Sequence, residues 1–280
     1  NAPKESVEEI KSRGISLHGL KKRSGSAKDY LRYAASLASI INTILPSRLF
    51  LVTLEISMIA CLIGGILKVD KIFCIISGLG NFYFSPHLKH RLMRLLYFVS
   101  FQGLARKNIT TFIFQNSDDQ RIFSSRNYIK NIKYKIIAGN GIRMPRPHWQ
   151  KKINAHELTF CFAGRMSISK GFNEFIRSCN EVHRLHPGIK FHIAGSCSPC
   201  QEDFFDFYFY EQLRLNSIFQ LFDEVAYQDM SAFYLDADIF VSPSYREGLS
   251  KAALEAASYS LPLIVSDVPG LRECIDKNGY

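Results

Sequence analysis

The chain lacks a second paired-cysteine motif to accompany its single C-x-x-C. Its seven cysteines (Cys61, Cys74, Cys161, Cys179, Cys197, Cys200 and Cys274) are scattered, mostly inside apolar runs, and odd in number. A structural zinc site wants four ligands, so Cys197 and Cys200, even with His192 on a predicted strand just before them, read as a loop coincidence. The expectation is reduced, buried thiols, a cytosolic pattern. Also lacking is a charge-free apolar run long enough to cross a bilayer. Leu49 to Leu67 comes nearest, but Glu55 lies inside it, Gly64 and Gly65 are adjacent, and Lys68, Asp70 and Lys71 come directly after. That text predicts a strand followed by a buried helix. The opening residues, NAPKESVEEIKSRG, are too polar for a secretory leader. Neither an aromatic-basic motif of the RNA-binding types nor a zinc-finger spacing is present, so nucleic acid is not an expected partner.

What is present is 280 residues with 47% hydrophobic composition, enough for a large core and, by length, for two domains. Their charges differ. Residues 1–150 hold 23 Lys and Arg against 8 Asp and Glu, a net of +15, whereas residues 151–280 hold 12 against 17, a net of −5. The basic half is expected to face an anionic partner such as a membrane surface or a phosphorylated substrate. Between Arg143 and Glu157 the text RMPRPHWQKKINAHE has two prolines and no periodicity, as an interdomain linker does. The expected domains are therefore 1–145 and 146–280.

Helical and extended patterns alternate along the chain. Val7 to Arg13 predicts a short helix, Ile15 to Leu20 a strand, and an amphipathic helix capped by Ser26 or Asp29 runs to about Leu45, where Pro46 ends it. Strands are expected at Arg48 to Thr53, Lys71 to Ile76 and Thr111 to Gln115, a strand with a glycine turn over Tyr134 to Ile142, and then strands at Leu158 to Ala163, Lys190 to Ala194, Phe219 to Ala226, Asp238 to Val241 and Leu261 to Asp267. Such alternation over short connections means α/β architecture with parallel sheets. Pro86 to Asn108 predicts a long helix with basic residues (Lys89, Arg91, Arg94) and many leucines. It suits either an anionic membrane surface or a core with one solvated face.

Two turns carry the chemistry. In SPSYREGLSKAALEAASYSLPLIVSDVPG, residues 242–270, a polar turn with Gly248 follows a strand and precedes a helix for which Ser250 is the expected N-cap. A strand, a glycine-containing turn and a helix N-terminus make an anion site: free backbone N–H groups and the positive dipole end point the same way. Glu247 in the turn and Glu255 eight residues on would reach hydroxyls on either side of a diphosphate resting on the N–H groups of Gly248, Leu249 and Ser250. A nucleotide sugar fits; a capped surface helix with two solvated glutamates fits the spacing equally. The second turn, GRMSISKG at 164–171, places Arg165 and Lys170 before another helix, repeating the anion logic with side-chain charge. A third, SGLG at 77–80, sits at a strand's carboxyl end, the edge where open α/β sheets bind ligands.

With these turns together the chain resembles a family 4 glycosyltransferase of the GT-B class. FAGRMSISKGF is similar to that family's phosphate-binding turn, and Glu247 to Glu255 matches its E-x7-E signature. ISGLG, FQNSDDQRIF and GNGI are similar to the branch that adds sugars to lipid-linked acceptors in bacterial capsule, lipopolysaccharide or exopolysaccharide synthesis. The resemblance implies two Rossmann-like domains facing each other across a cleft. It also implies transfer of a hexose or N-acetylhexosamine from a nucleotide diphosphate sugar, with uridine as the expected base, retention of anomeric configuration, and no metal or other cofactor. Arg165 and Lys170 would neutralise the leaving diphosphate, and Glu247 would hold the donor sugar. Gly164, Gly248, Leu249, Ser250 and Glu255 would bind the donor, with Glu255 on the ribose. Ser77, Gly78 and Gly80 would lie on the acceptor side, Ser77 where many relatives have His.

By the same resemblance the expected partner is a lipid-linked saccharide at an anionic inner-leaflet surface, with the protein cytoplasmic and peripheral. Both ends are expected to be truncated relative to such enzymes. A glycosyltransferase-like membrane-binding or scaffolding protein without turnover is the alternative.

Overall fold

The computed structural model describes residues 8, 10–18, 27–79, 83, 87–102, 107–127, 130–139, 141–142, 157–197, 207–222, 225 and 229–275. By residue contacts the chain falls into two compact units. One comprises Asn1–Ile75, Leu92–Phe112 and Asn127–Tyr134, and the other Ile76–Arg91, Ile113–Arg126 and Lys135–Tyr280.

The first sheet has the strand order β1-β2-β3-β4, with β1 Arg48–Val52, β2 Lys71–Ile76, β3 Ile109–Phe114 and β4 Lys133–Ile136. β1 and β2 run parallel in the register Arg48↔Lys71 to Val52↔Ile75. Helix α1 (Ala27–Ile44) packs on α2 (Leu54–Ile66), α3 (Leu88–Gln102) precedes β3, and α4 (Ser117–Ser125) follows it. Period-two burial sets the core: Ile72, Cys74 and Ile76 of β2 are buried while their neighbours are not. From α3, Tyr97 and Phe101 turn inward, and Phe101 meets Phe112 edge-on at 5.1 Å. Cys61 Sγ on α2 lies 3.4 Å from Cys74 Sγ on β2, both fully buried. Leu49 to Leu67 is a strand and a helix as predicted, and among the described residues no helix is long and apolar enough to cross a membrane.

The expected strand from Ile15 to Leu20 does not form over Ile15 to His18, which are exposed without regular structure. Their apolar residues have no sheet face to bury against, and short strand propensity yields to tertiary context. Asp29 lies in the first turn of α1 rather than at its cap, and Ser26 lies outside the described residues.

The second sheet has the order β7-β6-β5-β8-β9, all its pairings parallel: β5 Thr159–Ala163, β6 Lys190–Ala194, β7 Phe219–Phe222, β8 Ile239–Ser242 and β9 Leu263–Val265. Adjacent residues of one strand feed different cores. Phe162 and Ile193 join Phe172, Phe175 and Phe191 in one cluster; Cys161 and Ala194 join Phe233, Tyr234, Phe240 and Ala253 in the other. A sheet buried on both faces is what near-continuous apolar strands predict. Buried Asp238 fixes the central pairing, since its Oδ2 accepts from Thr159 N–H at 2.8 Å and its own N–H donates to Thr159 O at 2.8 Å. Helix α5 (Phe172–Leu185) follows β5, α6 (Phe207–Leu215) precedes β7, α7 (Met230–Leu235) precedes β8, and α8 (Lys251–Ser258) lies between β8 and β9.

Candidate functional site

Strand order reverses direction between β5 and β8, and the crevice beyond the carboxyl ends at such a switch point is where doubly wound sheets bind ligands. Both expected turns leave from there. After β5, Gly164 N–H donates to Ala194 O at 2.9 Å and Met166 N–H to Ser196 O at 3.0 Å, which fixes the path of the turn past Arg165. A 3-10 turn, Ile168–Lys170, then precedes α5. Gly171 joins the two in the left-handed region at φ +67°, where a Cβ would stand 2.0 Å from Pro243 O. Only glycine lets the turn after β5 lie against the turn after β8, and Tyr245 N–H donates to Ser169 O at 3.0 Å beside it.

This contact brings the sequence-distant charges together. Lys170 Nζ donates to Glu247 Oε1, which also accepts from Ser244 Oγ at 3.1 Å. The side chains are 22% and 13% exposed, so the pair is largely removed from water yet open on one side. Lys170, Glu247, Gly248, Arg165, Ser77 and Gly78 line one cavity of about 240 Å³. Arg165 also lines a neighbouring cavity of about 490 Å³ with Gly164, Tyr234, Lys251 and Glu255. That volume lies within the usual range of small-molecule sites. The four residues expected to converge therefore occupy two adjoining cavities that share Arg165.

Glu255 is buried in the second turn of α8. Its Oε2 accepts from the Tyr234 hydroxyl at 3.3 Å, and its Oε1 faces Lys251 Nζ at 3.4 Å without a hydrogen bond. A buried carboxylate oxygen with spare capacity beside a cavity is a ready acceptor for a ligand hydroxyl. Burial, and then the Glu255 charge, push the Tyr234 phenol far above its ordinary value, so it remains a donor.

Ser250 is the N-cap of α8 as predicted, its Oγ accepting from Ala253 N–H at 3.3 Å. The expectation that its N–H faces a diphosphate needs correcting: that N–H donates to Gly270 O at 3.1 Å, because the loop after β9 folds over the start of α8. Glu247 N–H is likewise engaged, by Pro269 O at 3.1 Å. A Cβ at Gly139 would stand 2.3 Å from Leu249 Cδ2, which puts the Leu249 side chain over that glycine, and Leu249 lines neither of the two cavities. At Gly248 a Cβ would stand 1.7 Å from Ser77 O and 3.0 Å from Gln115 Oε1, so the close approach of three chain segments requires glycine. Gly80 lies outside the described residues.

Three residues not singled out from sequence stand beside Glu247. Arg246 Nη2 is paired with Asp119 Oδ1, and Asn116 Nδ2 donates to Gly248 O at 2.8 Å. The available signal was an Asn-Ser-Asp-Asp helix start at the carboxyl end of a buried strand, inside the quoted FQNSDDQRIF. Tyr234 was also missed, since nothing local ties a tyrosine on a six-residue helix to Glu255. Cys197 is half-buried and Cys200 lies outside the described residues; among those described, no three His, Cys, Asp or Glu side chains are grouped to hold a metal ion.

Two parallel sheets with Rossmann-like α/β connections, and turns converging at a switch point, define a GT-B glycosyltransferase fold. HepE of Anabaena, solved in complex with UDP-glucose, has a TM-score of 0.71 to this chain at 13% identity, covering 98% of this chain and 73% of that one. Residues 144–279 match the family model described as glycosyl transferases group 1. A glycogen synthase of Mycobacterium tuberculosis is 29% identical over 143 residues, 50% of this chain and 33% of its own length. An N,N'-diacetylbacillosaminyl-diphospho-undecaprenol alpha-1,3-N-acetylgalactosaminyltransferase of Campylobacter jejuni is 26% identical over 232 residues, 76% of this chain and 56% of its own length. The chain thus spans about a third of the former and just over half of the latter.

Proposed function

We propose that the protein transfers a hexose or N-acetylhexosamine from a nucleotide diphosphate sugar, with uridine as the base, to a lipid-linked saccharide. Anomeric configuration is retained and no metal takes part. The observation that carries this is the shared cavity lining: Arg165 and Lys170 meet Glu247 in one cavity, and Arg165 continues into the next beside Glu255. Both flank a sheet switch point within the residues that match the glycosyl transferases group 1 model.

The diphosphate would lie along Arg165 and Lys170, whose charges stabilise the leaving group most as the glycosidic bond breaks, which lowers the barrier rather than merely tightening binding. Lys170 would exchange its bond to Glu247 for a phosphate oxygen, releasing Glu247 to accept from sugar hydroxyls. Glu255, held by Tyr234, would accept from the ribose. The departing phosphate would take the acceptor hydroxyl's proton as the new bond forms. The UDP-glucose complex of HepE supports the donor, and the undecaprenol-linked substrate that names the Campylobacter relative supports the acceptor.

Support for an anionic membrane surface comes from α3. Leu88, Leu92, Leu95, Leu96 and Val99 are exposed on it, with Arg91 exposed among them. Apolar residues interleaved with basic ones suit a lipid headgroup boundary. Sedimentation with phosphatidylserine vesicles should retain the protein at low salt and lose it when Leu92 and Leu95 are changed to Glu.

Titration calorimetry of the full chain with UDP and UDP-sugars, followed by transfer to a polyprenyl diphosphate-linked saccharide, tests the function. Binding lost in Arg165→Ala and transfer lost in Glu247→Ala are expected. Neither binding nor transfer with any nucleotide sugar would overturn it.

A further inference from the structure

The cap of helix α4 (Ser117–Ser125), which follows β3, grips the Glu247 turn on both sides. Asn116 caps α4 by accepting from Asp119 N–H through Oδ1 at 2.8 Å, and its Nδ2 donates both to Asp119 Oδ2 at 3.1 Å and to Gly248 O at 2.8 Å. The other Asp119 oxygen, Oδ1, holds the Arg246 guanidinium. The residues before and after Glu247 are thus tied to one helix start, while Glu247 itself is directed to Lys170. Asp118 extends the grip, since its Oδ2 accepts from Arg272 Nη1 at 2.9 Å. Arg272 also donates to Asp267 Oδ1 at 2.8 Å, in the loop whose Pro269 and Gly270 carbonyls accept from Glu247 and Ser250. Asn116 is 1% exposed and Asp119 fully buried, so this is not a solvated surface cluster.

A carboxylate buried without solvent is retained only where its charge is paired. Here the pairing fixes a short turn that has no regular structure of its own between β8 and α8. We propose that Asn116 and Asp119 are positioning residues for sugar transfer, setting the aim of Glu247 through Arg246 and Gly248. The inference rests on the proposed function for its catalytic consequence and on the geometry alone for its mechanical one. Nucleotide contacts at Glu255 and Tyr234 belong to a different part of the fold and do not depend on the clasp.

The test is Asp119→Asn in the full chain, an isosteric change that can keep the helix cap but loses the charge facing Arg246. UDP affinity should stay within about twofold, while kcat for transfer falls about 10- to 100-fold, as small misplacements of a reacting group do. Asp119→Glu, which restores the charge, should recover part of that loss. Hydrogen exchange supplies a readout free of activity: amides of residues 244–250 should exchange faster in Asp119→Asn while those of β5, β6 and α5 stay protected. Unchanged protection at 244–250 would overturn the proposal, as would parallel loss of protection throughout the second sheet, which marks a merely structural residue. Wild-type protein without UDP binding or transfer would defeat the proposed function instead, leaving the exchange result to decide the clasp.

Discussion

Tyr234 donates its hydroxyl to Glu255 Oε2 at 3.3 Å across the wall of the larger cavity. Its raised pKa keeps the proton on the phenol, so Glu255 is oriented by a neutral donor and stays an acceptor toward the cavity. Tyr234→Phe keeps the ring packing and removes that donor. UDP affinity should fall about three- to tenfold by calorimetry, the scale of one hydrogen bond. Affinity equal to wild type would mean that Lys251 alone orients Glu255.

Glu247 and Lys170 should separate binding from chemistry. Lys170→Ala removes the cation proposed to face the leaving group and strands a largely buried carboxylate, so kcat should drop about 10²- to 10³-fold. Glu247→Gln, which keeps the shape, should lower kcat with little change in UDP affinity. Initial rates over a range of UDP-sugar concentrations decide between a kcat and a KM effect.

Gly248 admits no side chain. Because a Cβ there meets the Ser77 carbonyl, which is backbone and cannot swing aside, Gly248→Ala should destabilise the fold by about 1–3 kcal/mol. Urea unfolding followed by circular dichroism would measure it, and an unmoved midpoint would show that the 77–79 segment shifts freely.

Cys274 supplies a pH dependence. Burial is the main reason that its thiol is pushed up from 9.0 to about 11. In the folded state it keeps a proton that the unfolded chain releases above pH 9. The resulting stability is complete below pH 9 and is lost as the pH rises through about 11. Cys74, Cys179 and Tyr234 are raised in the same sense. Melting temperatures at pH 8 to 11 should therefore fall for wild type and fall less steeply for Cys274→Ala.

The second sheet was legible because its strands are buried on both faces and written as apolar runs; Lys190 to Ala194 was expected and found at the same bounds. The cap at Ser250 was equally plain, since N-cap chemistry is local. Helix α6, Phe207–Leu215, was not foreseen, because its aromatic text carries no helical period. The engagement of the Ser250 N–H was also hidden. It depends on where Gly270 lies, twenty residues on, and backbone partners of that kind leave no mark on residue type. The Asn116 and Asp119 contacts were obscured for a similar reason: their partners are 127 to 132 positions away.

The cations and carboxylates of the candidate site leave from β5 and β8, strands that touch through the register pairs Phe160↔Ile239 and Cys161↔Phe240. Nothing between them in sequence can assemble the pocket on its own. Closing so long a loop costs chain entropy before any contact repays it, which places such pairings among the slow steps of folding. During synthesis the cationic turn would emerge well ahead of its acidic counterpart, and the two could meet only after β8 had docked beside β5.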